Sequence, residues 1–186
     1  APAARNGGIA ACRGAYVALL DSDDVWLPGK LARQLAMLRA LERTSDAWKV
    51  VAASAFYCPN RATGRLELRR PIGCTSLDGF ASGCWFNPGT TFLGRREVFA
   101  QIGRFDESLR RLEDLDWFIR LGQAGGRLIV DPEPGAIVAP SGSARSAVVS
   151  ASAQTIPAKF GAGVPRALPV GARRRLRAYL ALERTA

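Results

Sequence analysis

The feature that most constrains the fold is a short apolar run that ends in a cluster of acids. Residues 16–20 are all apolar or aromatic, and Asp21, Ser22, Asp23 and Asp24 follow them directly. An unbroken apolar run that stops at turn-forming acids is typical of a buried parallel strand with the acids at its carboxyl end. Open α/β sheets bind their ligands at that edge. The pattern therefore predicts an α/β fold with a ligand site at residues 21–24.

Three carboxylates within four residues favour a cation site. The carboxylates repel one another, and a cation would offset that repulsion. Mg²⁺ and Mn²⁺ prefer such hard oxygen ligands and often bind through one or two carboxylates plus substrate phosphates. Acidic residues after a strand also occur as ordinary helix caps and turn residues. Taken by themselves, the four residues leave both interpretations open.

Composition excludes several classes of site. A chain of 186 residues, 48% of them hydrophobic, is long and apolar enough to form one folded domain with a sizeable core. It has no histidine, and its four cysteines form no CxxC pair, so a zinc site or a histidine-based triad is not expected. The cysteines are expected to be reduced and structural, with a Cys74–Cys84 bridge as the alternative. No apolar stretch approaches the length of a membrane span, and we expect a cytoplasmic location.

The positive charge is concentrated in the tail. Of the net charge of +10, residues 141–186 contribute most, because they hold eight basic residues and a single acid, Glu183. We divide the chain into a body, residues 1–140, and a basic tail, residues 141–186. The tail is predicted to be a linker followed by an amphipathic helix. This helix either contacts the inner face of an anionic membrane or is simply a soluble, arginine-rich end of the chain. Nucleic acid is not expected, because the tail lacks interleaved aromatic residues.

Two groups of motifs carry a family resemblance. Residues 5–9 have the sequence Arg-Asn-Gly-Gly-Ile, residues 21–24 Asp-Ser-Asp-Asp and residues 26–28 Trp-Leu-Pro. Farther along, Glu113-Asp114 is followed by Trp117 and by Arg120-Leu121. In this order the motifs resemble family-2 glycosyltransferases, which are inverting enzymes with a GT-A fold. The resemblance extends over about residues 4–140.

The resemblance implies a definite architecture. It predicts a mixed, mostly parallel sheet flanked by helices. Family members normally carry an upstream βαβ segment whose strand-end Asp holds the nucleotide base, and nothing in this sequence matches it. We therefore expect residues 1–140 to be a partial GT-A domain that lacks the first βαβ segment, as in an N-terminally truncated fragment.

The resemblance also implies roles for the acidic motifs. Asp21 and Asp23 would hold Mg²⁺ or Mn²⁺ together with the diphosphate of a sugar nucleotide, and Arg5 would lie beside that donor. Asp24 would be a cap or an indirect ligand.

For the catalytic base we expect Asp114 first, Glu113 second and Asp116 third. Neighbouring residues on a helix point about 100° apart, so one side chain at most can aim squarely at a given hydroxyl. The helix N-terminus is expected to lower the pKa of this base and keep it ionised.

The aromatic and basic residues near these motifs are less specific. Trp117 and Trp85 could stack on an acceptor sugar, although aromatic residues at helical spacing are as readily core residues. Relatives often carry an Arg-His pair after the last strand. This chain has only Arg145 there, which could act electrostatically but could not ligate a metal.

These expectations combine into one function. The chain would be a metal-dependent inverting glycosyltransferase that moves a sugar from a nucleotide-diphosphate donor to a hydroxyl of a glycan or glycolipid, in surface polysaccharide or glycolipid synthesis. The alternative from another class is a nonenzymatic remnant or interaction module with a basic tail. A nucleotidyltransferase is a third option, but it would give the Glu113-Asp114 block no role.

Overall fold

Residues 2–41, 46–140 and 146–184, which are the residues that the computed structural model describes, form an α/β architecture. Its strands are β1 (Tyr16–Ala18), β2 (Val25–Trp26), β3 (Val50–Pro59), β4 (Leu66–Arg69), β5 (Leu93–Arg95) and β6 (Arg127–Ile137). Its α-helices are α1 (Pro2–Ala11), α2 (Lys30–Ala40), α3 (Leu77–Phe80), α4 (Pro88–Thr91), α5 (Arg96–Ile102), α6 (Glu113–Gln123), α7 (Ser146–Phe160) and α8 (Val170–Glu183).

The six strands form one mixed sheet in the order β1-β5-β3-β6-β2, with β4 beside the end of β3. The mixed sheet flanked by helices is as expected, but the prediction of a mostly parallel sheet is wrong. Among the described strands, β3 and β6 pair in parallel and the other pairs are antiparallel. One reason is local: β3 and β4 are joined by a short turn at Asn60, and a tight hairpin connects only antiparallel strands.

One strand differs from its predicted pairing. β1 pairs with β5 in antiparallel register, so the acids do follow its carboxyl end but not within a parallel pair. The long strand β6 contains a bulge, because Ser54 pairs with Asp131 and Ala55 with Pro134. The bulge absorbs the two prolines without ending the strand.

An aromatic core joins the sheet to α6. The indole of Trp117 is fully buried, and its ring centroid lies 5.0 Å from that of Phe118 and 5.0 Å from that of Phe99. Phe86 and Phe92 pack against Phe118 from the segment before β5. This core fixes α6 against the sheet and thereby fixes the position of its first residues.

The C-terminal helices pack on the opposite face of α6. Ile156 and Phe160 of α7, with Leu176 and Leu180 of α8, form one buried cluster with α6 residues that include Ile119. The segment predicted as a linker is therefore largely helical from residue 146 onward, while residues 141–145 lie outside the described residues. The apolar face of α8 is used in this packing, so it is not available to a membrane.

The structure also bears on the cysteines and on the length of the apolar helices. The four cysteines are free, so the alternative Cys74–Cys84 bridge is not formed. Within the described parts of the chain, no helix combines the length and apolarity that a membrane span requires.

Candidate active site

The loop after β1 is held in place by its last acid. One carboxylate oxygen of Asp24 accepts the backbone N–H of Ala139 at 2.7 Å, and the other accepts the hydroxyl of Thr90. Thr90 Oγ1 also accepts the backbone N–H of Asp21 at 3.2 Å. Asp24 therefore fastens the loop to α4 and to the end of β6.

Helix α2 contacts α4 through a buried hydrogen bond. Lys30 is 1% exposed, and its Nζ donates to Gln34 Oε1 at 2.8 Å and lies 4.8 Å from the ring centroid of Trp26. Burial lowers the pKa of Lys30 to about 7, although the charge of Asp131 opposes the shift. Gln34 Nε2 donates to the carbonyl of Thr91 at 2.8 Å, so this buried group braces the turn that carries the threonines.

Arg5 brings the two acidic motifs together. Its Nη2 lies 2.7 Å from Asp21 Oδ1, and its Nη1 lies 2.9 Å from Glu113 Oε1. Burial lowers the pKa of Arg5, but the hydrogen bond and charge of Asp21 and the charge of Glu113 outweigh this effect and raise it. One guanidinium therefore links the strand-end acid to the first residue of α6.

The backbone turns sharply just before the second motif. Leu112 has φ 63°, a left-handed conformation that is strained for a branched side chain. From there α6 begins at Glu113, which is 6% exposed and bound to Arg5. Asp114 is less buried, faces the cleft, and accepts the backbone N–H of Leu115 at 2.8 Å.

The pKa of Asp114 is raised to about 6, which corrects the expectation that the helix N-terminus would lower it. Burial is the main cause, and the negative charge of Glu113 adds to it. The N–H of Leu115 and the charge of Arg5 act in the opposite direction but are weaker. An acid with this pKa is mostly ionised at neutral pH and can still accept and release a proton.

A cleft of about 1060 Å³ opens over these groups. Asp21, Asp23, Glu113 and Asp114 lie along it, together with Arg5. Further lining residues come from the segment before α6 and from the C-terminal helices, among them Arg110, Arg111, Val148, Val149, Tyr179 and Glu183. These six residues were not predicted from the sequence. Arg110 and Arg111 could have been noticed beside the Glu-Asp block, whereas no local signal marked Tyr179 or Glu183.

Asp23 is the exposed acid of the strand-end motif. Its carboxylate makes no hydrogen bond or ion pair with any described residue. Asp21 is half-buried and bound to Arg5. Among the described residues, no three Cys, His, Asp or Glu side chains are close enough to enclose a metal ion.

The aromatic predictions have different outcomes. Trp117 as an acceptor-binding residue is wrong, because its indole is fully buried and its Nε1 donates to the carbonyl of Gly103 at 2.8 Å. Trp85 is 39% exposed and follows the cleft residue Cys84, but it does not line the cleft. Its Nε1 donates to the carbonyl of Ile72 at 3.2 Å.

Asp116, the third choice for the base, is also excluded from the cleft. It is fully buried, and its Oδ2 lies 3.0 Å from Arg120, one turn along α6. Its Oδ1 meets Lys159 of α7, which also binds Asp106 at 2.6 Å. Asp116 thus belongs to the ion-pair network that joins α7 to α6.

Comparison with known proteins gives consistent results. The family model described as Glycosyl transferase family 2 matches residues 1–103. The amylovoran biosynthesis glycosyltransferase AmsB of Erwinia amylovora is 31% identical over 133 residues, which cover 70% of this chain and 44% of AmsB. The succinoglycan biosynthesis protein ExoO of Rhizobium meliloti is 31% identical over 140 residues, 72% of this chain and 40% of ExoO. The chain thus spans less than half the length of these relatives.

Solved structures support the fold. The crystal structure of Staphylococcus aureus TarS 1-349 superposes with a TM-score of 0.59 at 18% identity, covering 98% of this chain and 50% of that one. The same protein in complex with UDP gives a TM-score of 0.58 at 18% identity, covering 95% of this chain and 49% of that one. The GT-A-type α/β fold expected from the motifs is thereby confirmed.

Proposed function

The chain belongs to glycosyl transferase family 2, and from this premise we propose that it transfers a sugar from a nucleotide-diphosphate donor to a hydroxyl acceptor with inversion. The relatives named for amylovoran and succinoglycan biosynthesis favour a polysaccharide or glycolipid acceptor. The TarS complex with UDP favours a uridine diphosphate donor.

The observation that carries this proposal is the bridge that Arg5 makes between Asp21 and Glu113. The strand-end motif is suited to the donor phosphates, and the Glu-Asp motif is suited to the acceptor. Because one guanidinium contacts both motifs, a donor and an acceptor bound to them would share one cleft. Arg5 lines that cleft and is the candidate to touch the donor as well.

Asp114 is the proposed catalytic base. The acceptor hydroxyl gives its proton to Asp114 while its oxygen bonds to the anomeric carbon, and the bond from that carbon to the diphosphate oxygen breaks. Attack opposite the leaving group inverts the anomeric centre. With a pKa of about 6, Asp114 can hold the proton and return it to water. Glu113 is the weaker candidate, because Arg5 already binds its carboxylate.

The carboxylate ligands available in the cleft are suited to a divalent cation. Asp23 presents an exposed carboxylate without a partner among the described residues, and Asp21 lies on the same loop. Mg²⁺ and Mn²⁺ often take one or two protein carboxylates and complete their coordination with substrate phosphates and water. Asp23, assisted by Asp21, would hold the ion. When bound, it would compensate the charge of the departing diphosphate.

The remaining expectations form part of the same proposal. Residues 1–140 would supply the catalytic and metal-binding side chains, while α7 and α8 complete the lining of the cleft. Trp85 is retained as a candidate for binding a distal part of the acceptor. A peripheral membrane contact would use the charged face of α8, because Leu176 and Leu180 are buried against the body. A cytoplasmic location at the inner face of the membrane would suit an acceptor attached to lipid.

Donor turnover tests the catalytic proposal. We expect the chain to release nucleotide diphosphate from a sugar nucleotide, and we expect Asp114→Asn to lower the rate about 10²–10⁴-fold. Asp46→Asn is the matched control, because Asp46 is exposed, pairs with Lys49 and lies outside the cleft. Absence of turnover with every sugar nucleotide, or equal rates in both variants, would contradict the proposal.

Binding measurements test the metal and separate the two classes of function. We expect UDP with Mn²⁺ to give heat in calorimetry, and Asp23→Asn to weaken Mn²⁺ binding followed by electron paramagnetic resonance. Asp46→Asn should leave both signals unchanged. No heat from UDP and Mn²⁺ would instead favour the nonenzymatic remnant.

A further inference from the structure

Two cations in the cleft have no anionic partner among the residues that the structure describes. Arg110 and Arg111 are exposed and line the cleft, and their side chains make no hydrogen bond or ion pair with any described residue. Arg5, in contrast, is occupied by Asp21 and Glu113. Positive charge available to a bound molecule is therefore found at Arg110 and Arg111.

The backbone that carries the two arginines is held firmly. Leu109 is 1% exposed and belongs to the cluster formed with α7 and α8. The backbone N–H of Arg111 donates to Ser152 Oγ of α7 at 3.3 Å. Because this backbone is already fixed, a bound ligand would restrict mainly the rotamers of the two arginine side chains. The entropic cost of binding is therefore limited.

Their place in the chain assigns the arginines to the acceptor side. Arg111 stands two residues before Glu113 and three before Asp114, the proposed base that touches the acceptor hydroxyl. The donor diphosphate is assigned to Asp21 and Asp23 on the other motif. A group bound by the arginines would thus belong to the molecule whose hydroxyl reaches Asp114.

The part of the lining that comes from α8 also limits where an anion could lie. Tyr179 and Glu183 line the cleft, and burial together with the Glu183 carboxylate raises the pKa of the Tyr179 hydroxyl, so that it stays neutral. That wall suits neutral hydroxyl groups and repels negative charge. An anionic substituent is therefore directed towards Arg110 and Arg111.

We propose that Arg110 and Arg111 form an anion subsite for the acceptor, so that the sugar is transferred to an acceptor bearing a carboxylate or a phosphate close to the reacting hydroxyl. This inference rests on the proposed function, because it takes Asp114 as the base. Guanidinium groups bind both anions through paired, charge-assisted hydrogen bonds. The anion could come from an acidic sugar or from a phosphate group on the acceptor, and the probes below distinguish these two sources.

The test compares acidic and neutral sugars on the full chain. The probes are glucuronate, glucose 6-phosphate and glucose, titrated while the backbone amide resonances of residues 109–115 are followed by NMR. We expect at least one acidic probe to bind about fivefold or more tightly than glucose at low salt, with the preference reduced by salt. Preference for glucuronate indicates an acidic sugar, and preference for glucose 6-phosphate indicates a phosphate.

The double variant Arg110→Gln/Arg111→Gln should abolish this preference. Its matched control is Arg65→Gln/Arg70→Gln, which removes the same charge from exposed positions outside the cleft. The control should keep the preference.

Three results would overturn the inference: no preference for either acid in the unsubstituted chain, absence of binding by all three sugars, or an equal loss in the two double variants. A fourth would be weakening of UDP binding in Arg110→Gln/Arg111→Gln as large as the loss for the acids, because the anion would then belong to the donor. Donor turnover is measured separately. A chain that releases nucleotide diphosphate without acid preference would therefore lose this inference and keep the proposed function.

Discussion

Arg5 binds the carboxylate of Asp21, 16 residues later in the chain, and that of Glu113, 108 residues later. Its side chain and that of Glu113 are only 15% and 8% exposed, whereas Asp21 is 38% exposed. Removing the guanidinium would leave Glu113 charged, buried and without its partner. At the residue scale, this single side chain contributes to the stability of the site and lowers the pKa of Asp114, although burial has the larger effect on that pKa.

Arg5→Met is expected to lower the free energy of unfolding by about 2 kcal/mol, because an unpaired buried carboxylate is costly. Urea denaturation measures this loss. Arg69→Met is the matched control, since Arg69 pairs with Glu67 at the surface and exposed pairs contribute about 0.5 kcal/mol or less. Equal losses in the two variants would show that the bridge adds no stability.

The pH profile tests Asp114 directly. Because its pKa is about 6, kcat/KM should fall about tenfold per pH unit below that value and level off above it. Glu113→Gln should move the fall to lower pH, since the charge of Glu113 raises the pKa of Asp114. Arg5→Met should move it to higher pH. A fall near pH 4 that neither substitution shifts would exclude Asp114 as the base.

The raised pKa of Asp114 also makes the stability of the folded state depend on pH. The raised pKa means that protonated Asp114 favours the folded state. Its contribution is complete below the ordinary carboxyl value of about 3.9 and is lost as the pH rises through about 6. At neutral pH, where Asp114 is mostly ionised, the folded state therefore lacks this contribution to its stability.

At the scale of elements, α8 is fitted to the turn between α3 and α4. Gly83 has φ 118°, and the ring of Tyr179 lies where a side chain at Gly83 would begin. Leu176 and Leu180 anchor the same helix to α6. The contact at Gly83 therefore positions Tyr179, and with it one wall of the cleft.

Gly83→Ala should lower the free energy of unfolding by about 1–3 kcal/mol, because it combines an unfavourable φ with a clash against Tyr179. Gly8→Ala in α1 is the contrast, since no atom lies within 4 Å of its added methyl group. That change should raise stability by about 0.5–1 kcal/mol through helix propensity. Urea denaturation of both variants checks the prediction, which would fail if they behaved alike.

At the scale of the whole molecule, charge and apolar surface are separated on α8. Leu176 and Leu180 are buried in the cluster with α6 and α7, while Arg174 and Arg177 are exposed, as are Val170 and Leu182 near the two ends of the helix. Contact with a membrane would then depend mainly on charge. Such contact is sensitive to salt and to the composition of the lipid.

Vesicle flotation tests this contact. The full chain should float with anionic vesicles at low salt, remain behind with neutral vesicles, and be released by salt. Arg174→Gln/Arg177→Gln should reduce binding by about 2 kcal/mol, given about 1 kcal/mol per basic residue near the headgroups. Arg65→Gln/Arg70→Gln is the control of equal charge. Equal flotation of the two double variants would show that α8 is not the contact.

The sequence by itself determined the features encoded by neighbouring residues. The apolar run before Asp21 predicted a strand that ends in acids, and the block at Glu113 predicted the start of α6. The free state of the cysteines and the family also followed from the residues, because composition and short motifs contain that information.

Only the tertiary structure decided the features that depend on contacts between distant residues. The burial of Trp117, the bridge from Arg5 to Glu113 and the wall at Tyr179 each join segments far apart in the chain. The direction of most strand pairs was mispredicted, and α7 was not predicted as a helix, for the same reason. Local patterns determine which residues can form a helix or a strand, but the partner that covers an apolar face is selected by the packing of the whole chain.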